Sequence, residues 1–293
     1  MDVSIVIRTK NEEECIGDTL GRVNEQKFNG SYEVIIVDSG STDSTLDIVK
    51  KYNTKLVCIP QEEFTYGRSL NLGAHHSGGR CIVNLSAHAF PNGDGWLTNL
   101  IAGLEDPSVA GVYGRQVSRG PLNPFEALRN ESFFGREGIV FNGGNRKIWK
   151  RVHFSNSNSA IRKEVWHKFK FNEQVPYAED MLWQKMVMAA GFSIVYAPEA
   201  SVHHTHKVSV CNAYRNSKAC AYSLAIMGQK PQSMFMLIYD IGVFSGLMPN
   251  ALLRNVRYIW RNRYRKYLGI APFYVTCECF GWLMGRIAYR LKR

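Results

Sequence analysis

Four short and nearly unbroken apolar runs constrain this chain more than anything else in it: residues 3–7, 34–37, 56–59 and 81–85. Runs of this kind, with little polar alternation, are strands covered on both faces. The stretches between them carry helical patterns, so the first 115 residues read as a mostly parallel sheet with crossover helices. Asn11 followed by Glu14, and Ser44 followed by Asp47, have capping-box spacing and place helix starts just after the first two strands. Both loops then open at strand C-terminal ends, where open α/β sheets take their ligands and helix N-termini favour phosphate. Further on, residues 96–104, 123–134 and 181–190 read as helices, 109–116 and 193–196 as strands, and helical patterns predominate from about residue 207. Residues 135–154 hold four glycines and five cations, among them Arg146 and Lys147. That composition suits a mobile loop, either a lid or a plain surface loop.

With 293 residues, 45% hydrophobic and 21% charged, the chain has ample material for a buried core, which excludes a disordered or fibrous protein. The net charge of +11 is polarised: residues 254–293 contain ten basic residues and one acid, Glu278. Tyr258, Trp260, Tyr264 and Tyr267 interleave with those cations. Such a segment meets something anionic, a membrane surface or a nucleic acid. The seven cysteines lack the paired spacing of a zinc site or a disulfide framework, which points to a reducing compartment. No secretory pattern opens the sequence, and Asp240, Pro249, Pro272 and Glu278 interrupt its most apolar late stretches. The expectation is a cytoplasmic protein, with peripheral attachment to the inner face of a membrane through residues 254–293.

Six polar constellations are candidates for chemistry. The first two, Arg8 to Glu12 and Asp38 to Asp43, follow the first two strands, where Thr9 and a carboxylate can meet the edge of a base or ribose. Asp43 and Ser44 serve equally well as helix caps. In the third, residues 64–73, Arg68 can hold a phosphate through two parallel hydrogen bonds. The fourth is Ser86-Ala87-His88, again at a strand end, where a neutral imidazole can ligate a metal. The fifth joins the segment 154–162, with Asn156 and Asn158, to Glu179-Asp180, two carboxylates that open a helix. The helix dipole favours their ionised forms, and an ionised carboxylate beside a hydroxyl can act as a general base. The sixth is His203-His204-Thr205-His206; in extended chain His204 and His206 share a face and can meet one metal.

Taken in order, these segments resemble the inverting nucleotide-sugar glycosyltransferases of family 2, with the GT-A fold, and most closely the bacterial rhamnosyltransferase-like branch. The resemblance covers residues 3 to about 206 and rests on Arg8-Thr9-Lys10-Asn11-Glu12, the strand ending in Asp38-Ser39-Gly40-Ser41-Thr42-Asp43, Ser157-Asn158-Ser159-Ala160-Ile161-Arg162 with Asn156, the Glu179-Asp180 pair with Trp183, and His204 with His206. It implies a catalytic domain over residues 1–206 and a helical, basic region over 207–293. It also implies that Thr9, Asn11, Asp38, Arg68, Ser86 and His88 line the donor site, and that Asp180 is the base, with Glu179 helping. Trp183, Asn156 and Asn158 would face the acceptor. The family's metal-binding D-x-D is Ser86-Ala87-His88 here, so a metal would depend on His88, His204 and His206. Imidazole suits manganese better than magnesium, and metal independence is the alternative.

The implied partners are a nucleotide-sugar donor and a glycan or lipid-linked acceptor. Two other classes compete. A sugar-phosphate nucleotidylyltransferase needs a glycine-rich loop after the first strand, which residues 7–11 lack. A nucleic-acid-binding protein is suggested by the basic tail alone.

Overall fold

The computed structural model describes residues 1–118, 122–144, 153–227 and 234–291. The chain runs β1 (Val3–Thr9), α1 (Ile16–Asn24), β2 (Tyr32–Asp38), α2 (Thr45–Val49), β3 (Lys55–Cys58), α3 (Tyr66–His76), β4 (Cys81–Ser86), β5 (Ala89–Pro91) and α4 (Trp96–Ala102). It continues through β6 (Val109–Val117), α5 (Pro124–Phe133), β7 (Ile139–Phe141), β8 (Asn158–Arg162), α6 (Lys163–Lys168), α7 (Glu179–Ala189) and β9 (Ser193–His204). Three helices complete it: α8 (Val210–Met227), α9 (Met234–Arg261) and α10 (Ala271–Leu291). Contacts divide the chain into two compact units, the first comprising Met1–Ser118, Asn130–Gln174 and Glu179–Thr205, the second Arg119–Arg129, Val175–Ala178 and His206–Arg293.

In the first unit the described strands form one sheet in the order β3-β2-β1-β4-β8-β6-β9-β5, with β7 beside β9. Side chains alternate across β1, so that Ile5 and Ile7 enter one core while Val6 enters the other. Ile16, Leu20 and Val23 of α1 and Trp96, Leu97 and Leu100 of α4 fill the first core. Leu70 and Ala74 of α3 and Trp183, Val187 and Met188 of α7 fill the second. This double coverage is why the strands carry so few polar residues.

The parallel expectation holds for β3-β2-β1-β4 and for β6 with β9. It fails at β8, which lies antiparallel to both β4 and β6, and at β5 and β7, antiparallel to β9; the sheet is mixed. Neither capping box forms. Asn11 sits in left-handed backbone at φ 53°, and its Oδ1 accepts the Thr42 N–H at 2.8 Å. The second helix is capped by Asp43, which accepts from the Thr45 N–H, and Ser44 makes no side-chain cap. The loop of residues 135–154 contains β7, while Arg146 and Lys147 lie outside the described residues.

The second unit packs Phe125, Ala213, Ile259, Ala271 and Tyr274 together, with the Phe125 and Tyr274 rings stacked at 4.0 Å. Among the described residues no helix is long and apolar enough to cross a membrane.

The β6–β9 pairing carries a register shift between Gly114 and Gln116. A Cβ on Gly114 would lie 1.9 Å from the Ala200 carbonyl oxygen, a backbone atom that cannot turn away. Gly114→Ala should therefore destabilise the fold by about 2–3 kcal/mol. In a thermal melt it should unfold several degrees below the parent. Gly135→Ala, where a Cβ meets nothing within 4 Å, should leave the midpoint unmoved.

Candidate active site

Three parallel strands bring the first candidates level. Thr9 pairs in register with Asp38 of β2, and Arg8 with Ser86 of β4. By alternation Thr9 and Asp38 follow the α1 side of the sheet, Arg8 and Ser86 the α3 side. Asp38 is buried, its Oδ2 accepting from the Gly40 and Ser41 N–H groups at 3.0 Å and its Oδ1 from the Ser41 hydroxyl. Gly40 adopts φ 84°, which lets the chain fold back over that carboxylate. The two loops are also laced together: Asn11 N–H donates to Ser41 Oγ, Glu12 N–H to Thr45 Oγ1 and Ser44 N–H to Glu13 Oε2. Thr9 Oγ1 is buried without a hydrogen-bond partner among the described residues.

On the other face a polar chain leads to α7. Asn84 Nδ2 donates to Asn156 Oδ1 at 3.2 Å. Asn156 in turn gives its N–H to Asp180 Oδ2 at 3.3 Å and its Nδ2 to Glu179 Oε1 at 3.4 Å. Burial pushes the Asp180 carboxyl up, and the neighbouring Glu179 charge pushes it further, to about 7; hydrogen bonds from the Met181 and Asn156 amides and the Arg8 charge pull the other way. A carboxylate poised there takes up a proton near neutral pH.

Arg8 and Glu12 belong to the motif after the first strand, which by itself assigns them no role. Arg8 stands at the tip of β1 with its guanidinium 5.0 Å from the Tyr66 ring and Nη1 buried without a partner among the described residues. Its signal in the sequence is a cation ending an otherwise apolar strand. Arg68, by contrast, is half-exposed and paired with Glu63 and Glu173.

Two expected acceptor contacts are corrected. Trp183 is fully buried, packs on Phe154 and donates its indole N–H to the Phe169 carbonyl at 2.8 Å. Asn158 is equally buried; its Nδ2 donates to the Ala200 carbonyl at 2.7 Å and its Oδ1 accepts from Trp96 Nε1 at 2.9 Å. Both are core residues with no face to offer a ligand.

His88, just past β4, and His204, the last residue of β9, stack with ring centroids 5.0 Å apart and 12° between planes. His206, two residues on, begins the second unit. The candidate ligand nitrogens of His88 and His204, both in the first unit, lie within 4.8 Å of each other. Within the second unit His206 binds Glu126: its N–H donates to Oε2 at 2.8 Å and Nδ1 lies 2.9 Å from Oε1. Burial works to raise the Glu126 carboxyl, but His206 outweighs it and the group stays below the ordinary range. The His88 and His204 imidazoles, stacked in this way, suit a transition-metal cation.

The profile of glycosyl transferase family 2 matches residues 4–169. The chain belongs to that family. Relatives agree: the O-antigen chain rhamnosyltransferase WbaN of Salmonella anatum is 28% identical over 229 residues, covering 77% of this chain and 66% of the relative. RfbN of Salmonella typhimurium, another O-antigen chain rhamnosyltransferase, is 26% identical over 254 residues, covering 85% and 74%. Among solved structures, a mannosyltransferase from Pyrobaculum calidifontis in complex with GDP-Man and Mn2+ superposes with a TM-score of 0.63 at 19% identity, covering 99% of this chain and 87% of that one. Staphylococcus aureus TarS in complex with UDP-GlcNAc gives 0.54 at 19% identity, covering 99% and 92%. The family 2 glycosyltransferase has the GT-A fold expected from its motifs.

The raised Asp180 carboxyl makes a stability prediction. Its folded-state pKa lies above the unfolded one, so the ionised form costs stability that appears as pH rises from about 4 through about 7. Asp180→Asn should therefore melt above the parent at pH 8, and the gap should narrow as pH falls towards 4 and close below it, where the parent carboxyl is protonated in both states.

Proposed function

We propose that this enzyme moves a sugar from a nucleotide-diphosphate donor to a hydroxyl of a glycan or lipid-linked acceptor with inversion, Asp180 acting as general base. The observation that carries the proposal is Asp180 itself: a carboxyl raised to about 7, held by the Asn156 amide beside Glu179 and in the field of Arg8. In the reaction the acceptor O–H gives its proton to Asp180 while its oxygen attacks the anomeric carbon. The bond from that carbon to the diphosphate oxygen breaks, and the electron pair leaves with the nucleoside diphosphate. Arg8 is placed to offset the charge growing there, a role for which Arg68, already paired with two carboxylates, is less suited. Thr9, with its unpaired hydroxyl, Asn11 and Asp38 form the edge that meets the nucleotide, Asp38 retaining acceptor capacity beyond its three internal bonds. Ser86 and His88 lie on the donor side of the same sheet edge. Asn156 positions Glu179 and Asp180.

His88 and His204 would hold a divalent cation, manganese in preference to magnesium because imidazole is a poor ligand for hard cations. Bound there, it would supply Lewis-acid stabilisation of the leaving diphosphate. Residues 1–206 form the catalytic domain in this reading and 207–293 an accessory one. The rhamnosyltransferase names of two relatives make rhamnosyl transfer the first donor chemistry to test.

Asp180→Asn should lower turnover by about 10²–10⁴-fold while a sugar nucleotide still raises the melting temperature. Glu179→Gln, which removes the like charge, should move the acid limb of the pH–rate profile to lower pH. An Asp180→Asn enzyme with near-parent turnover would remove Asp180 from the chemistry.

The second unit also offers a lipid-facing surface. Leu253, Trp260 and Phe273 are exposed, among exposed Arg254, Arg257, Arg261, Arg263, Arg265 and Lys266. Leu253, Arg254, Arg257, Trp260 and Arg261 follow the helical repeat of α9 and share one flank. Each cation contributes about 1 kcal/mol near an anionic bilayer. Flotation with vesicles rich in anionic lipid should carry the parent chain upward. Arg257→Glu with Arg261→Glu should sink, and equal flotation of both would discard this surface.

A further inference from the structure

Each of the three histidines is backed by an acceptor oxygen. Nδ1 of His88 lies 2.8 Å from Glu12 Oε1, Nδ1 of His204 lies 2.9 Å from Gln116 Oε1, and Nδ1 of His206 lies 2.9 Å from Glu126 Oε1. The three acceptors come from three separate places: the loop after β1, the strand β6 and the helix α5. A neutral imidazole carries one proton, and only the nitrogen without it can bind a metal. A carboxylate or an amide oxygen only accepts. Each acceptor therefore draws the ring proton onto Nδ1 and leaves Nε2 as the basic nitrogen. On the other side of the His88 ring, Ser86 Oγ lies 3.3 Å from Nε2.

The arrangement has a cost that needs an explanation. Gln116 and His204 are both buried, and a filler for that space would be cheaper as an apolar residue. Glu12 keeps a carboxylate only partly exposed beside a ring that a solvated surface histidine would not need. Fixing a tautomer accounts for both.

We propose that Glu12 and Gln116 are positioning residues for a divalent cation, holding His88 and His204 in the tautomer and ring orientation that present Nε2 to it. The proposal rests on the reading of these histidines as metal ligands and goes beyond it by naming what sets them. Outer acceptors of this kind change metal affinity by about 10- to 100-fold when lost.

The test is Mn2+ binding to the full chain, followed by the loss of the free-ion EPR signal, without donor or acceptor. His88→Ala should abolish tight binding. Glu12→Ala should weaken it by about 10- to 100-fold, and Glu12→Gln, whose amide oxygen still accepts from Nδ1–H, should stay within a few-fold of the parent. Gln116→Leu should weaken binding as Glu12→Ala does. Thermal melts of the metal-free variants separate this from misfolding: each should unfold in one cooperative transition within a few degrees of the parent. If His88→Ala loses Mn2+ while Glu12→Ala binds as the parent does, the positioning role is overturned and the histidine site stands. If Glu12→Gln is as weak as Glu12→Ala, charge rather than tautomer is responsible, and the proposal is overturned in that form. If His88→Ala binds Mn2+ like the parent, the metal reading itself fails, and the proposal with it.

Discussion

Hydrogen bonding between β1 and its two parallel neighbours sets Thr9 opposite Asp38 and Arg8 opposite Ser86, and the placement of the rest follows from that alignment. Side chains on a strand alternate faces, so a slip of one residue would send Arg8 to the Thr9 side and bury its charge against α1. The slip is resisted by the cores. Ile5 and Ile7 belong to one apolar cluster and Val6 to the other, so a shifted β1 would have to exchange both sets at once. The polar tips are held by the apolar bodies of the same strands.

Beyond the strand ends, the loops bind one another more than they bind themselves. Asn11, Glu12 and Glu13 engage residues 41–45 through backbone amides and short side chains. Such mutual bonding satisfies donors that helix starts leave orphaned, and it adds to the local cap that Asp43 makes on α2. The result is a rigid rim at the sheet edge where a ligand meets preorganised groups.

The strands covered on both faces were legible because double burial writes itself as unbroken hydrophobicity. The carboxylate pair at the start of α7 was legible for a similar reason: adjacent acids before an apolar run mark a helix start. What resisted reading was contact between distant residues. β8 begins Asn158-Ser159, polar residues with little strand preference, and only its long-range pairing with β4 and β6 makes it a strand. Trp183 and Asn158 stand within motif-rich segments, but composition cannot say that one donates to Phe169 and the other bridges Trp96 to Ala200. Glu12 and His88 are 76 positions apart, and no spacing rule links them.

One strand serves two purposes. β9 pairs with β6, β5 and β7 along its length, sending Ile194 into one hydrophobic cluster and Val202 into the other, before ending at His204. A histidine on a free loop could fray while the body of the protein stayed intact. Here the ring is anchored to the most connected segment of the sheet, so its displacement requires the sheet to open. Through that one strand the ring is tied to both hydrophobic clusters of the first unit.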